Sequence, residues 1–131
     1  RNPKDNCLSI YKNQFSSNTM SWSYDQTLVA NYYNLYLKMM NYWKLKFNDF
    51  IFDANYENIV NSTESEVKKM LLFCDLNWEP ECLNFYQNKK TPVQTASVSQ
   101  ASKPIYKSSI NTSSGFSEYL SEMFKILDTK S

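Results

Sequence analysis

With 131 residues, 42% of them hydrophobic and 16% aromatic, the chain is long enough for one domain with a sizeable core and too short for two independent ones. Fourteen basic residues nearly balance thirteen acidic ones, so the net charge of +1 gives no electrostatic footprint for nucleic acid or an anionic membrane, and any anion site must be local. The chain has no histidine to serve as base or metal ligand, and its single glycine, Gly115, cannot furnish a glycine-rich phosphate loop.

Asn2 followed by Pro3 reads as an N-cap and first helical residue, because proline needs no hydrogen-bonded N–H there. Cys7, Ile10 and Tyr11 recur at helical spacing, which predicts a helix over residues 3–14, and the polar stretch 16–23 reads as a loop. Tyr24 and Asp25 open the longest element. Leu28, Tyr32, Leu35, Met39 and Tyr42 form one apolar line, and Val29, Tyr36, Met40 and Trp43 form a second beside it. So wide an apolar face predicts a largely buried helix of roughly 22 residues, ~33 Å long.

Residues 50–52, Phe-Ile-Phe between Asp49 and Asp53, read as one short buried strand. A lone strand leaves both hydrogen-bonding edges without partners, so the rest of an α/β sheet is expected outside this chain. Pattern alone also admits, as the lesser reading, an all-helical domain with 50–52 as a linker. Thr63 with Glu66 forms a capping-box pattern, and Val67, Met70, Leu71 and Cys74 follow at i, i+3, i+4 and i+7. Glu79 and Pro80 start a short helix carrying Cys82, Leu83 and Phe85. The stretch 88–114 is polar, rich in Ser and Thr and without periodicity, too long for a mere connection. Phe116, Tyr119, Leu120, Met123, Phe124 and Leu127 then predict a closing amphipathic helix.

Cys7, Cys74 and Cys82 each sit among apolar residues, which favours three buried, reduced thiols; the spacing also permits a Cys74–Cys82 disulfide across the intervening turn. A metal site is not expected without histidine or a CxxC pair. No apolar run approaches the ~20 residues needed to span a bilayer, so a soluble, cytoplasmic protein without membrane or nucleic-acid partners is expected.

Arg1-Asn2-Pro3-Lys4-Asp5, with Ser9 eight residues after Arg1, resembles the 3′-phosphate-binding segment of the sulfotransferase family. The residue chemistry suits a phosphate, since a guanidinium fork binds it bidentately, a hydroxyl adds a donor, and a helix N-terminus favours negative charge. Taken singly, an arginine before a capped helix reads as well as a solvated surface charge. The resemblance continues in order. Tyr33, Tyr36, Met40 and Tyr42-Trp43 resemble packing positions of the family's long helix, and Tyr56-Glu57-Asn58-Ile59-Val60 resembles a segment whose tyrosine lies against the adenine. The run from Leu71 through Phe73-Cys74-Asp75-Leu76-Asn77-Trp78 to Cys82-Leu83-Asn84-Phe85 is similar to bacterial, tetratricopeptide-type members and, more loosely, to tyrosylprotein sulfotransferases. Asp75 stands where glycine is usual, a position aspartate can fill in the left-handed conformation. Thr95-Ala96-Ser97, Gln100 and Lys103-Pro104-Ile105-Tyr106 resemble the loop that folds over the donor nucleotide.

The resemblance implies a fold class of α/β, the C-terminal half of a P-loop-kinase-like sulfotransferase domain, mostly helical with one short strand. Residues 1–131 would form that part of a single domain, with 88–114 as the donor-covering loop. The implied co-substrate is 3′-phosphoadenosine 5′-phosphosulfate, whose sulfuryl group passes to a hydroxyl or amine acceptor such as a peptide or glycan. Arg1, Ser9, Tyr56, Ser97, Gln100 and Lys103 would contact the donor nucleotide. In relatives the 5′-phosphosulfate loop and the catalytic base lie before the segment matched here, so no residue is nominated as catalytic, and this part alone is expected to be inactive. Ser102 and Thr112 stand at positions that are commonly basic in relatives. The rival readings are a non-enzymatic helical interaction module, presenting the Tyr/Met face of the long helix, and a degenerate relative that binds nucleotide without turnover.

Overall fold

Asn2 and Pro3 start the first helix, α1 (Pro3–Tyr11), as their chemistry requires. The Asn2 side-chain oxygen accepts the Lys4 N–H at 2.9 Å and the Asp5 N–H at 3.3 Å, and Pro3 takes a first-turn position. The computed structural model describes residues 1–15, 18–87 and 103–129. They fall into two compact units, Arg1–Ile51 with Ser108–Ser131, and Phe52–Lys107.

In the first unit α1 stops at Tyr11, three residues before its expected end. The Asn13 N–H tightens onto the Ile10 carbonyl, and the residues that follow offer no apolar face to bury. Residues 18–23, expected as loop, form with Tyr24, expected to open the long helix, a 3₁₀ helix (Asn18–Tyr24) whose Trp22 ring stacks on Tyr32 with centroids 4.2 Å apart. The long helix α2 (Gln26–Lys46) is capped by Asp25, whose carboxylate accepts the Leu28 N–H at 2.8 Å. Lys44 and Lys46 sit in its last turn, where the helix dipole favours cations. The closing helix, here named α5 (Ser121–Asp128), follows a 3₁₀ turn (Thr112–Phe116) and so begins later than the apolar pattern predicts.

The core is built where α1, α2 and α5 meet: Cys7 and Leu8, then Val29, Ala30 and Tyr33, then Leu120, Met123, Phe124 and Leu127. Polar side chains of α2 fix α5 in register. Gln26 donates to the Tyr119 carbonyl at 3.0 Å and accepts the Met123 N–H at 3.4 Å, supplying the cap that Leu120 cannot; Asn34 donates to the Ile126 carbonyl at 3.4 Å. The expectation of a largely buried α2 is corrected. Leu28, Tyr32, Leu35, Met39 and Tyr42 are each about half exposed, and only the face through Val29, Ala30, Tyr33 and Asn34 is buried. The reason is orientation: α1 and α5 both pack on the Val29–Ala30–Tyr33 side, where Gln26 and Asn34 bond α5, and the Leu28–Tyr32–Leu35 side is left facing solvent.

The strand expected at 50–52 is also corrected. Asn48–Phe50 is a 3₁₀ turn, Phe50 is 83% exposed, and no strand is present among the described residues. Ile51 keeps extended dihedrals (φ −122°, ψ 113°). A strand exists only through its ladder partners, and without them the local turn preference of Asn48 and Asp49 decides the backbone.

The second unit opens with Phe52, whose ring meets Phe73 at 5.4 Å between centroids. Helix α3 (Tyr56–Asn61) is capped by Asn55, which accepts the Asn58 N–H at 2.9 Å. Helix α4 (Thr63–Phe73) forms as expected, but the capping box does not. Thr63 is the first helical residue, and its hydroxyl donates at 2.7 Å to the Ile59 carbonyl left over at the end of α3, while Glu66 pairs with Lys69 at 2.6 Å. Helix α4 ends in a Schellman motif: the Leu76 N–H bonds the Leu71 carbonyl at 2.8 Å, the Asp75 N–H bonds Leu72 at 3.1 Å, and Asp75 has φ 56°. The glycine-like role read for Asp75 is therefore what the backbone shows. The expected short helix after Glu79 is a 3₁₀ helix (Pro80–Gln87).

All three cysteines are free. Only Cys7 is buried, and burial pushes its thiol up to about 12; Cys74 is exposed and Cys82 partly buried, which corrects the expectation of three buried thiols. Cys74 is the C-cap residue just before the αL turn at Asp75, and Cys82 lies in the 3₁₀ helix Pro80–Gln87. Among the described residues no helix is long and apolar enough to cross a membrane, and no group of three metal-ligating side chains occurs.

Candidate functional site

Arg1, Asp5 and Ser9 recur every fourth residue, so Asp5 and Ser9 share one face of α1 with Arg1 just before its cap. Along that face runs the segment 109–113. The Arg1 Nη2 donates to the Ser109 carbonyl at 3.1 Å. Asp5, 1% exposed, receives the rest: its Oδ2 accepts the Asn111 N–H at 2.7 Å, and its Oδ1 accepts the Ser113 N–H at 2.8 Å and the Thr112 hydroxyl at 3.3 Å. Asn111 has φ 57°, and its own side chain makes no cap bond to the 3₁₀ turn it precedes. The Asp5 carboxylate, more than 100 residues away in sequence, does that work instead. Burial by itself pushes the Asp5 carboxyl up, but the hydrogen bonds from Ser113, Asn111 and Thr112 outweigh it and hold the group below its ordinary value. Ser9 is partly buried, two turns into α1.

In the second unit, Tyr56 and Lys103 line one open groove of about 220 Å³. Ile59, Val60, Phe85, Ile105 and Tyr106 complete its largely apolar wall. A shallow apolar groove with a lysine at its edge can take a flat heteroaromatic ring and steady a neighbouring anionic or hydroxyl group. Lys103 is exposed and Tyr56 partly buried at the start of α3.

The structure thus brings Tyr56 and Lys103 together in one groove, and sets Arg1 just before the cap of α1 and Ser9 within that helix. Ser97 and Gln100 lie outside the described residues, as does the part of the 88–114 loop before residue 103. Thr112, noted for standing where relatives carry a cation, is spent on Asp5. Asp5 is the residue that sequence reasoning missed. Its place between Arg1 and Ser9 at four-residue intervals, inside the first turn, is the one local signal that could have drawn attention to it.

The sulfotransferase family matches this chain over residues 1–80, more than half of its length, and the chain belongs to that family. It is similar to an uncharacterized protein of Aquifex aeolicus (strain VF5), with 31% identity over 129 residues, which is 97% of this chain and 17% of that protein. The chain therefore spans about a sixth of the length of that relative. No solved structure gives a significant match.

Proposed function

We propose that this chain is the part of a sulfotransferase that holds the 3′-phosphoadenosine end of 3′-phosphoadenosine 5′-phosphosulfate while the sulfuryl group passes to a hydroxyl or amine acceptor. The observation that carries the proposal is the head of α1: an arginine just before a capped helix N-terminus, fixed by the Ser109 carbonyl, with Ser9 on the Asp5 face of the helix. A guanidinium there offers paired donors to phosphate oxygens, the helix N-terminus adds favourable partial charge, and Ser9 contributes a hydroxyl. The Tyr56–Lys103 groove takes the adenine against Tyr56, with Lys103 at its edge. The resemblance of Thr95-Ala96-Ser97, Gln100 and Lys103-Pro104-Ile105-Tyr106 to the family's covering loop supports Ser97 and Gln100 as further nucleotide contacts. In this reading the chain's residues bind and orient the donor, and none transfers a proton.

One observation favours a second reading, the helical interaction module. Tyr32, Leu35, Tyr36, Met39, Met40 and Trp43 line an apolar groove of about 290 Å³ on the exposed face of α2.

Titration calorimetry of the intact protein with adenosine 3′,5′-bisphosphate separates the two. Arg1→Ala should weaken binding by about 1.5–3 kcal/mol, the range for a charged hydrogen bond, or roughly ten- to a hundredfold. An Arg1→Ala variant that binds as the wild type, or a wild type that ignores the nucleotide, supports the module instead.

A further inference from the structure

We infer that Asp5 is a positioning residue for the anion site at the head of α1: it clamps the 109–113 segment onto the helix, and that segment in turn holds the Arg1 guanidinium where the nucleotide's 3′-phosphate is bound. The inference rests on the donor-binding reading and adds to it a residue that touches no ligand.

Three observations join up. Asp5 accepts the Asn111 and Ser113 N–H groups and the Thr112 hydroxyl, across 106 to 108 residues of sequence, so one carboxylate ties this segment to α1. Two residues before Asn111, the Ser109 carbonyl accepts from Arg1 Nη2 at 3.1 Å. Moving the segment therefore moves the acceptor that orients the guanidinium. The left-handed Asn111 fixes the bend between the two contacts, since φ 57° turns the chain sharply at that residue.

The chemistry of the division also matters. Arginine has a long side chain with many rotamers, and holding its fork in one place beforehand reduces what phosphate binding must order. A neutral carbonyl can do this without cancelling the positive charge, whereas a carboxylate bonded to the guanidinium would compete with phosphate. The Asp5 charge is met by two main-chain N–H groups and a hydroxyl, which leaves it satisfied inside the fold. The acid of the Arg1-x-x-x-Asp5-x-x-x-Ser9 pattern thus supports Arg1 through the 109–113 segment.

A double-mutant cycle on the intact protein, read by calorimetric titration with adenosine 3′,5′-bisphosphate and by thermal unfolding in parallel, tests this. Asp5→Asn should weaken binding about tenfold when Arg1 is present and less than about twofold in the Arg1→Ala background, as expected for coupled residues. If Asp5→Asn does not fold, Thr112→Val removes one donor and keeps the carboxylate; it should weaken binding by about two- to threefold, again only with Arg1 present. Equal losses in both backgrounds would make Asp5 a general prop and overturn the inference. So would an Arg1→Ala variant that binds weakly beside an Asp5→Asn variant, folded, that binds normally. An Arg1→Ala variant with wild-type affinity removes the phosphate reading itself, and the inference with it.

Discussion

Truncating Met123 to alanine is expected to destabilise the protein by about 2–5 kcal/mol, the range for removing a large side chain from a packed core. Met123 is fully buried, on the face of α5 that meets α1 and α2, within the cluster of Cys7, Val29, Phe124 and Leu127. Its neighbours come from three helices. A cavity there cannot be filled by one side chain shifting along its own helix, so the upper half of the range applies. Equilibrium urea unfolding measures the effect, and Leu45→Ala is the control: Leu45 is 86% exposed, and its truncation should change stability by no more than about 0.5 kcal/mol. Equal midpoints for the two variants would show that the helix contacts around Met123 are not those of the folded state.

Asp5→Ala should be almost as costly at neutral pH. It leaves the Asn111 and Ser113 N–H groups without their acceptor, at about 1–3 kcal/mol for each buried group left unsatisfied, so roughly 3 kcal/mol in total. The pH dependence has a definite sign. The folded-state value of Asp5 lies below its ordinary one. Its contribution is therefore complete above an unfolded value of about 4 and is lost as pH falls through the lower folded value. Urea midpoints of wild type and Asp5→Ala should differ by a constant amount from pH 7 down to about 5 and draw closer below about 4. A gap that stays constant into that acid range would mean that the carboxylate charge is not what holds the 111–113 segment.

What was legible in the sequence is what is decided within a few residues. Asn2-Pro3 and Asp25 announce helix starts because a cap bonds N–H groups two or three positions on, and Asp75, standing where the family pattern has glycine, takes the left-handed position after the C-cap of α4. Features set by distant partners were not legible. Residues 50–52 carry strand composition, but a strand needs neighbours, and here a local turn takes Phe50. Both sides of α2 are apolar, so periodicity could not say which is buried; the side on which α1 and α5 pack decided it. In the candidate site, Arg1 and Ser9 were found through the family pattern, and Tyr56 and Lys103 share a groove although 46 residues separate them. Asp5 went unassigned because its three donors sit at the other end of the chain.

The most direct measurement is hydrogen exchange across residues 1–131 of the intact protein, with and without adenosine 3′,5′-bisphosphate. If α1 holds the 3′-phosphate and the Tyr56 groove holds the base, amides in the first turn of α1, in segment 109–113, at the start of α3 and through residues 95–106 should all exchange more slowly with nucleotide bound. Bound nucleotide that slows none of these amides would contradict the proposed function, and protection confined to the exposed face of α2 would assign the chain to the interaction module.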